Sequence, residues 1–273
     1  MSDPDRSRTK ARLMRLTEDA AEGFDRPLRV MLVSVTGEMG GAERSLFEVA
    51  AAIPRRHLEI QACCPPNSAL GRLFRTENIP AYEVPFRRFR RTANPWTLAG
   101  QIRALYKGAS ELSQICRAQN IDLIHANTDS SAIVAWETAR ATRLPFIWHC
   151  RDIRPLHGLA RVVSTASAAV VAISGAVEQH LRREGVPAAK IRRIDNGVDI
   201  SRFPERSTTL DIRAAKRAEM GLKVNQPVLL SVGGMAPWKR HEKFLDVLAG
   251  VRGRIPEAVG VLAGGDLFSQ NEE

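Results

Sequence analysis

The chain has 273 residues, with 40 Lys and Arg against 30 Asp and Glu for a net charge of +10, and four cysteines. That length suits one large domain or two smaller ones, no apolar run approaches the roughly 20 residues of a membrane-spanning helix, and the cysteines have neither C-x-x-C spacing nor the density of a disulfide framework. The basic excess points to an anionic partner such as a nucleotide, a lipid surface or nucleic acid, and Cys63, Cys64, Cys116 and Cys150 read as free buried thiols in a reducing cytoplasm.

Residues 1–27 lack the apolar core of a secretory signal and read as a charged extension, disordered or helical. An apolar run, Val30–Val35, then stops at Gly37, Gly40 and Gly41, and amphipathic sequence begins at Ala42 with Glu43, Leu46, Phe47 and Val49. A buried strand that ends at glycines and becomes a helix is the first unit of a doubly wound parallel sheet. The glycines make either a tight turn only, or a turn whose backbone N–H groups receive an anion at the helix N-terminus. Their spacing is not G-x-G-x-x-G, so the dinucleotide fingerprint is not met.

Alternation continues down the chain. His57–Cys64 is a strand ending at Pro65–Pro66, Ser68–Asn78 a short helix and Pro80–Val84 a short strand. The next stretch, PFRRFRR, holds Arg87, Arg88, Arg90 and Arg91. It is either a solvated loop or, with Phe86 and Phe89 interleaved, a surface that inserts into a membrane interface. Asn94 and Pro95 open a long helix, Trp96–Gln119, in which Leu98, Ile102, Leu105, Leu112 and Ile115 can share one face. Ile121–Ala126 is a strand, Asp129–Arg140 a helix, and Leu144–Cys150 the next strand. A short helix closes at Val162–Thr165, before the strand Ser167–Ile173; Ser174 caps a helix to Arg183, which Gly185 ends. Ile191–Ile194 is a last strand before Asn196–Asp199. This order predicts an α/β fold, a parallel sheet with helices on both faces.

Between 201 and 226 the sequence turns polar, with helical propensity at Leu210–Met220, and reads as a connection. A second strand–glycine–helix–strand unit follows: Pro227–Val232, Gly233–Gly234, a helix from about His241 to Val251, and Ala258–Ala263 ending at Gly264–Gly265. The expected organisation is an N-terminal Rossmann-like domain over 28–200, a connection over 201–226, and an incomplete second Rossmann-like domain over 227–273.

Ligands of open α/β sheets gather at the carboxyl ends of the strands. The polar residues expected there are Gly40, Gly41 and Glu43, then His125 and Asn127, then His149 with Arg151 and Asp152, and Asn196 with Gly197. A single histidine at a strand end is often structural; two at successive ends beside an anion turn point to one pocket. His149 could hydrogen-bond a sugar hydroxyl or take a proton. Asp152 could orient it, bind hydroxyls, cap a helix, or pair with Arg151 or Arg154. Lys239, after a strand and a Gly–Gly turn, could neutralise a diphosphate leaving group or stand as a solvated lysine. No H-E-x-x-H or cysteine cluster suggests a metal, no G-x-S-x-G a nucleophilic serine, and no G-x-x-x-x-G-K-[ST] an ATPase.

Five phrases resemble glycosyltransferase family 4: GEMGGAERSLFEVA at Gly37–Ala50, DLIHANT at Asp122–Thr128, PFIWHCRD at Pro145–Asp152, VVAISGAVEQHLRREGVPAAKIRRIDNGVDISRF at Val170–Phe203, and LSVGGMAPWKRHEKFLDVLAGV at Leu230–Val251. The resemblance implies the two-Rossmann GT-B architecture and metal-independent, retaining transfer from a nucleotide-diphosphate sugar to a polysaccharide or lipid-linked acceptor. It places His149 beside the transferred sugar, Gly40 and Gly41 against donor phosphates or acceptor, and Gly233 and Lys239 at the diphosphate. The family's arginine after the second-domain glycine is Gly234 here, with Arg240 as a substitute. Its E-x-x-x-x-x-x-x-E segment would fall beyond Glu273, so the chain reads as truncated in its second domain and inactive alone. No cofactor and no nucleic acid are expected; a cytoplasmic location is, with peripheral contact to an anionic inner membrane face. Two other readings stand beside it: a non-catalytic degenerate partner protein, and a sugar-nucleotide epimerase on the same two-Rossmann plan.

Overall fold

A run of apolar residues with no alternation must be covered on both sides, and β1 (Leu28–Val33) is. In the computed structural model, which describes residues 26–87, 92–200, 203 and 206–265, the chain divides between Asn196 and Gly197 into two units. The first unit carries a seven-stranded sheet in the order β3-β2-β1-β4-β5-β6-β7. Its other strands are β2 (Leu58–Cys64), β3 (Ala81–Glu83), β4 (Leu123–Ala126), β5 (Phe146–Cys150), β6 (Ala169–Ala172) and β7 (Ile191–Arg193), and every pairing is parallel. The chain runs outward from β1 to β3, then crosses back to β4 on the far side of β1. That reversal opens a crevice at the carboxyl ends of β1 and β4, where doubly wound sheets bind ligands.

Helices α1 (Gly41–Ala52) and α2 (Ala69–Thr76) belong to one face, where Val30 and Leu32 cluster with Leu46, Ala50, Leu70 and Phe74. On the other face Met31 and Val33 join the larger cluster, with residues of α3 (Pro95–Ala118), α4 (Asp129–Thr142), α5 (Leu159–Ala166) and α6 (Gly175–Arg183). Trp148 and Phe146 are fully enclosed there. Side-chain caps start several of these helices: Ser68 accepts from the Gly71 amide, Thr128 from Ser131, and Ser174 from Val177. Asn94 accepts from Trp96 and Thr97, with Pro95 in the first turn. Each such cap is worth about 1 kcal/mol. All four cysteines are free and buried.

Two expectations change. The buried positions of α3 are Gly108, Ala109, Leu112, Ser113 and Cys116, whereas Leu98 and Ile102, nearer its N-terminus, stand exposed. Phe86 does not reach outward with the arginines. It is buried against Gly108, whose missing side chain makes room: a Cβ there would lie 3.0 Å from the Phe86 ring. Phe89, Arg88, Arg90 and Arg91 lie outside the described residues.

The second unit holds α7 (Arg206–Glu219), α8 (His241–Arg252) and the parallel pair β8 (Val228–Val232) and β9 (Val259–Ala263). Glycines set its close approaches. At Gly260 a Cβ would fall 2.5 Å from Leu248 of α8, and at Gly264 one would collide with the Gly233 carbonyl. The connection between strands of the two units thus contains a formed helix, α7, beginning a few residues earlier than its propensity suggested.

Candidate active site

Strand alternation places His125 of β4 and His149 of β5 on one face, since His125 is registered with Ile147, two residues before His149. Their rings stack, centroids 5.3 Å apart and 20° from coplanar, and His125 Nε2 lies 3.1 Å from His149 Nδ1. Arg151, two residues past His149 and so on the same side of the chain, folds its guanidinium into the same space. Its Nε donates to Asn127 Oδ1 at 2.8 Å, its Nη1 to Ser45 Oγ at 2.9 Å and to Asn196 Oδ1 at 3.2 Å, and its Nη2 lies 3.4 Å from His149 Nδ1. Asn127 is fully buried and donates in turn to the Ala42 carbonyl at 3.1 Å. One arginine therefore ties together α1, the end of β4, the end of β5 and the segment after β7.

These contacts fix protonation. A guanidinium has donors only, so its approach makes His149 Nδ1 an acceptor, and a neutral imidazole accepting there carries its hydrogen on Nε2. His125 Nε2–H then donates to the same lone pair. Burial first, and then the Arg151 charge, hold both rings neutral: His125 is lowered to about 4, and His149, which also faces His125, to about 2. Burial lowers Arg151 to about 10, against the pull of Glu43 and Asp152, so it stays charged at neutral pH. The result is a buried His149 Nε2–H without a hydrogen-bond partner among the described residues. Such a donor suits an oxygen acceptor from outside: a hydroxyl, a carbonyl or a phosphoryl group.

The glycine turn is occupied from within. Glu43, buried in the first turn of α1, bends back so that its Oε2 accepts from the Gly40 amide at 3.2 Å, and its Oε1 lies 3.5 Å from Ser34 Oγ. Gly40 has an ordinary extended backbone, and a Cβ there would sit 2.9 Å from that carboxylate, which would have to shift. The positive end of the helix is thus matched by a carboxylate of the same helix. Gly41 opens onto clear space, with nothing within 4 Å of its Cβ position. Asp152 is half exposed and pairs with Arg154 at 3.3 Å, while His149 Nδ1 is held by His125 and Arg151. Arg154 also approaches Asp129 at 3.7 Å, where burial raises the Asp129 carboxyl. Asn196 is exposed apart from its bond to Arg151.

In the second unit, the stem of Lys239 lies over Gly233, 3.4 Å from where a Cβ would be. Arg240 adopts a left-handed backbone (φ 55°) just before α8 and pairs with Glu242 at 3.3 Å. His241 Nε2 is 3.0 Å from the Gly234 carbonyl and donates to it, and its Nδ1 is buried with no partner among the described residues. Gly197, the first residue of this unit, is exposed. Arg151 was expected at the strand end but given no role beyond pairing with Asp152, and Ser45 was not among the expected site residues. The signal for a larger role of Arg151 was its place two residues beyond His149; Ser45 carried none.

Three comparisons bear on this arrangement. D-inositol 3-phosphate glycosyltransferase of Kineococcus radiotolerans is 24% identical over 81% of this chain, which spans 56% of that protein's length. HepE of Anabaena, solved in complex with UDP-glucose, superposes with a TM-score of 0.70 at 23% identity, covering 90% of this chain and 63% of that one. A glycosyltransferase from Rickettsia africae gives 0.66 at 17% identity, covering 88% of this chain and 69% of that one. These structures share the GT-B fold with this chain. The model of one family, Glycosyltransferase Family 4, matches residues 39–202, more than half of the sequence. The chain belongs to Glycosyltransferase Family 4.

Proposed function

We propose that this chain is the larger part of a glycosyltransferase that moves a sugar from a nucleotide-diphosphate donor to a glycan or lipid-linked acceptor, without a metal and with retention at the anomeric carbon. One observation carries the reading: the buried His149 Nε2–H, without a partner among the described residues, at the carboxyl end of β5, next to the crevice beside β1 and β4. Family membership supports it, as does the UDP-glucose found in HepE.

On this reading His149 donates a hydrogen bond to an oxygen of the transferred sugar and is not a general base, because Arg151 and burial keep the ring neutral and its Nδ1 engaged. Asp152, half exposed and already paired with Arg154, is left to bind a hydroxyl. Glu43, His125, Asn127 and Asn196 belong to the acceptor or pocket wall of the first unit, with Gly40 and Gly41 beside them. Lys239 over Gly233, with Arg240, meets the diphosphate, where a cation stabilises the charge that gathers on the leaving group.

The test is calorimetric titration with UDP-, GDP- and ADP-sugars, of this chain and of a version lengthened with the remaining second-domain segment of a full-length relative. One donor is expected to bind, and His149→Ala to weaken it at least tenfold. If neither protein binds any nucleotide sugar, the reading fails.

A further inference from the structure

Successive residues of a strand point to opposite faces of its sheet. Trp148 and Cys150 flank His149 in β5, so they point to the face away from the two stacked rings, and there one side chain meets both. Asp129, the first residue of α4, is 7% exposed; its Oδ1 accepts from Trp148 Nε1 at 3.3 Å and lies 3.5 Å from Cys150 Sγ. Its Oδ2 faces the segment between β5 and α5, 3.7 Å from Arg154 Nη2, which in turn is 3.3 Å from Asp152 Oδ2. Arg151 thus sits between Cys150 and Asp152, the one tied to Asp129 directly and the other through Arg154. The carboxylate is costly where it stands. Burial raises its pKa, Asp152 adds to the rise, and Arg154, Cys150 and Trp148 offset only part of it. Oδ2 has no hydrogen-bond partner among the described residues. Helix α4 does not depend on this side chain for its cap, since Thr128 accepts from the Ser131 amide.

We propose that Asp129 is a positioning residue of the candidate site, holding the end of β5 and the segment after it from behind so that the Arg151 guanidinium stays against His149 Nδ1. This deepens the role proposed for His149 and rests on it. A long side chain keeps one geometry only where its backbone is fixed as well as its head. Asn127, Ser45 and Asn196 fix the head of Arg151. Its backbone is fixed on the opposite face, through Cys150 and Asp152. The other anchors of the segment come later: Leu156 donates its amide to Glu184 at 2.9 Å, and His180 donates to the Arg154 carbonyl at 2.8 Å. They leave the two residues beside Arg151 to Asp129. Without that hold the guanidinium leaves the ring, Nδ1 opens to water, and the Nε2–H is no longer presented in one direction.

Hydrogen exchange of the Arg151 Nε–H, which donates to Asn127 Oδ1, reports this hold by nuclear magnetic resonance, with Arg151→Lys identifying the signal. Asp129→Ala should speed that exchange about tenfold or more, while the backbone amides of β1 and β4 keep their wild-type rates. Arg154→Gln and Asp129→Asn each remove one end of the ion pair. Each should speed the exchange about threefold, and the double variant no more than either alone. Arg154 is half exposed, so its replacement decides the question even where Asp129→Ala does not fold. No ligand enters this measurement, so its outcome is separate from whether the chain binds a nucleotide sugar. Unchanged Arg151 exchange in Arg154→Gln and Asp129→Asn overturns the inference. So does a double variant in which the two single effects multiply, or a parallel rise across β1 and β4, which would mark Asp129 as structural only. Where the wild type binds a nucleotide sugar, Asp129→Ala should weaken binding about tenfold, and equal affinity overturns the inference too.

Discussion

Lowering the pH from 7 to 5 should destabilise the first unit through its two stacked imidazoles. Both titrate at 6.5 in the unfolded chain, but in the folded protein His125 takes up a proton only at about 4 and His149 at about 2. Below 6.5 the unfolded state binds protons that the folded state refuses, so stability falls as pH falls. The loss for each ring approaches about 1.4 kcal/mol per pH unit and levels off at its folded pKa. Integrated from pH 7 to pH 5, this amounts to about 2 kcal/mol for each ring and roughly 4 for the pair. Urea unfolding at the two pH values, followed by near-ultraviolet circular dichroism of the enclosed Trp148, measures it. The comparison is with His125→Asn/His149→Asn. Carboxylates held low by ion pairs, such as Asp122 beside Arg26, are common to both proteins and cancel. The wild type should lose about 4 kcal/mol more than the variant over this range. Equal losses would show that the rings are not held neutral by their surroundings, and the tautomer argued for His149 would fall with them.

Three further outcomes follow from packing. Trp148→Ala removes a fully enclosed side chain and should cost about 3–5 kcal/mol in urea unfolding. Gly264→Ala drives a methyl into the Gly233 carbonyl and should raise hydrogen exchange across β8 and β9 while β1 and β4 keep theirs. Ser174→Ala removes the cap on the Val177 amide and should cost about 1 kcal/mol.

The centre of the fold was readable because its signals are local. A run such as Val30–Val35 ending in glycines dictates a doubly covered strand and a turn, and Ser174 before an amphipathic stretch dictates a cap. The buried face of α3 was read too far upstream, because periodicity gives the direction of an apolar stripe and not how far along it is covered. Phe86 was read as an outward residue among arginines; the space left by Gly108, far along the chain, draws it inward. At the site, His125, Asn127 and His149 could be named from strand ends. The bond from Arg151 to Ser45 could not, since it joins residues 106 apart in sequence and depends on how β1, β4 and β5 lie side by side.

Arg151 reaches four separate stretches of chain, and this limits how the protein can be redesigned. Replacing Ser45, Asn127 or Asn196 singly would strip a donor of its acceptor and loosen the neighbouring ring. A library that varies these positions together with residue 151 should yield working variants where one-at-a-time scanning finds only losses.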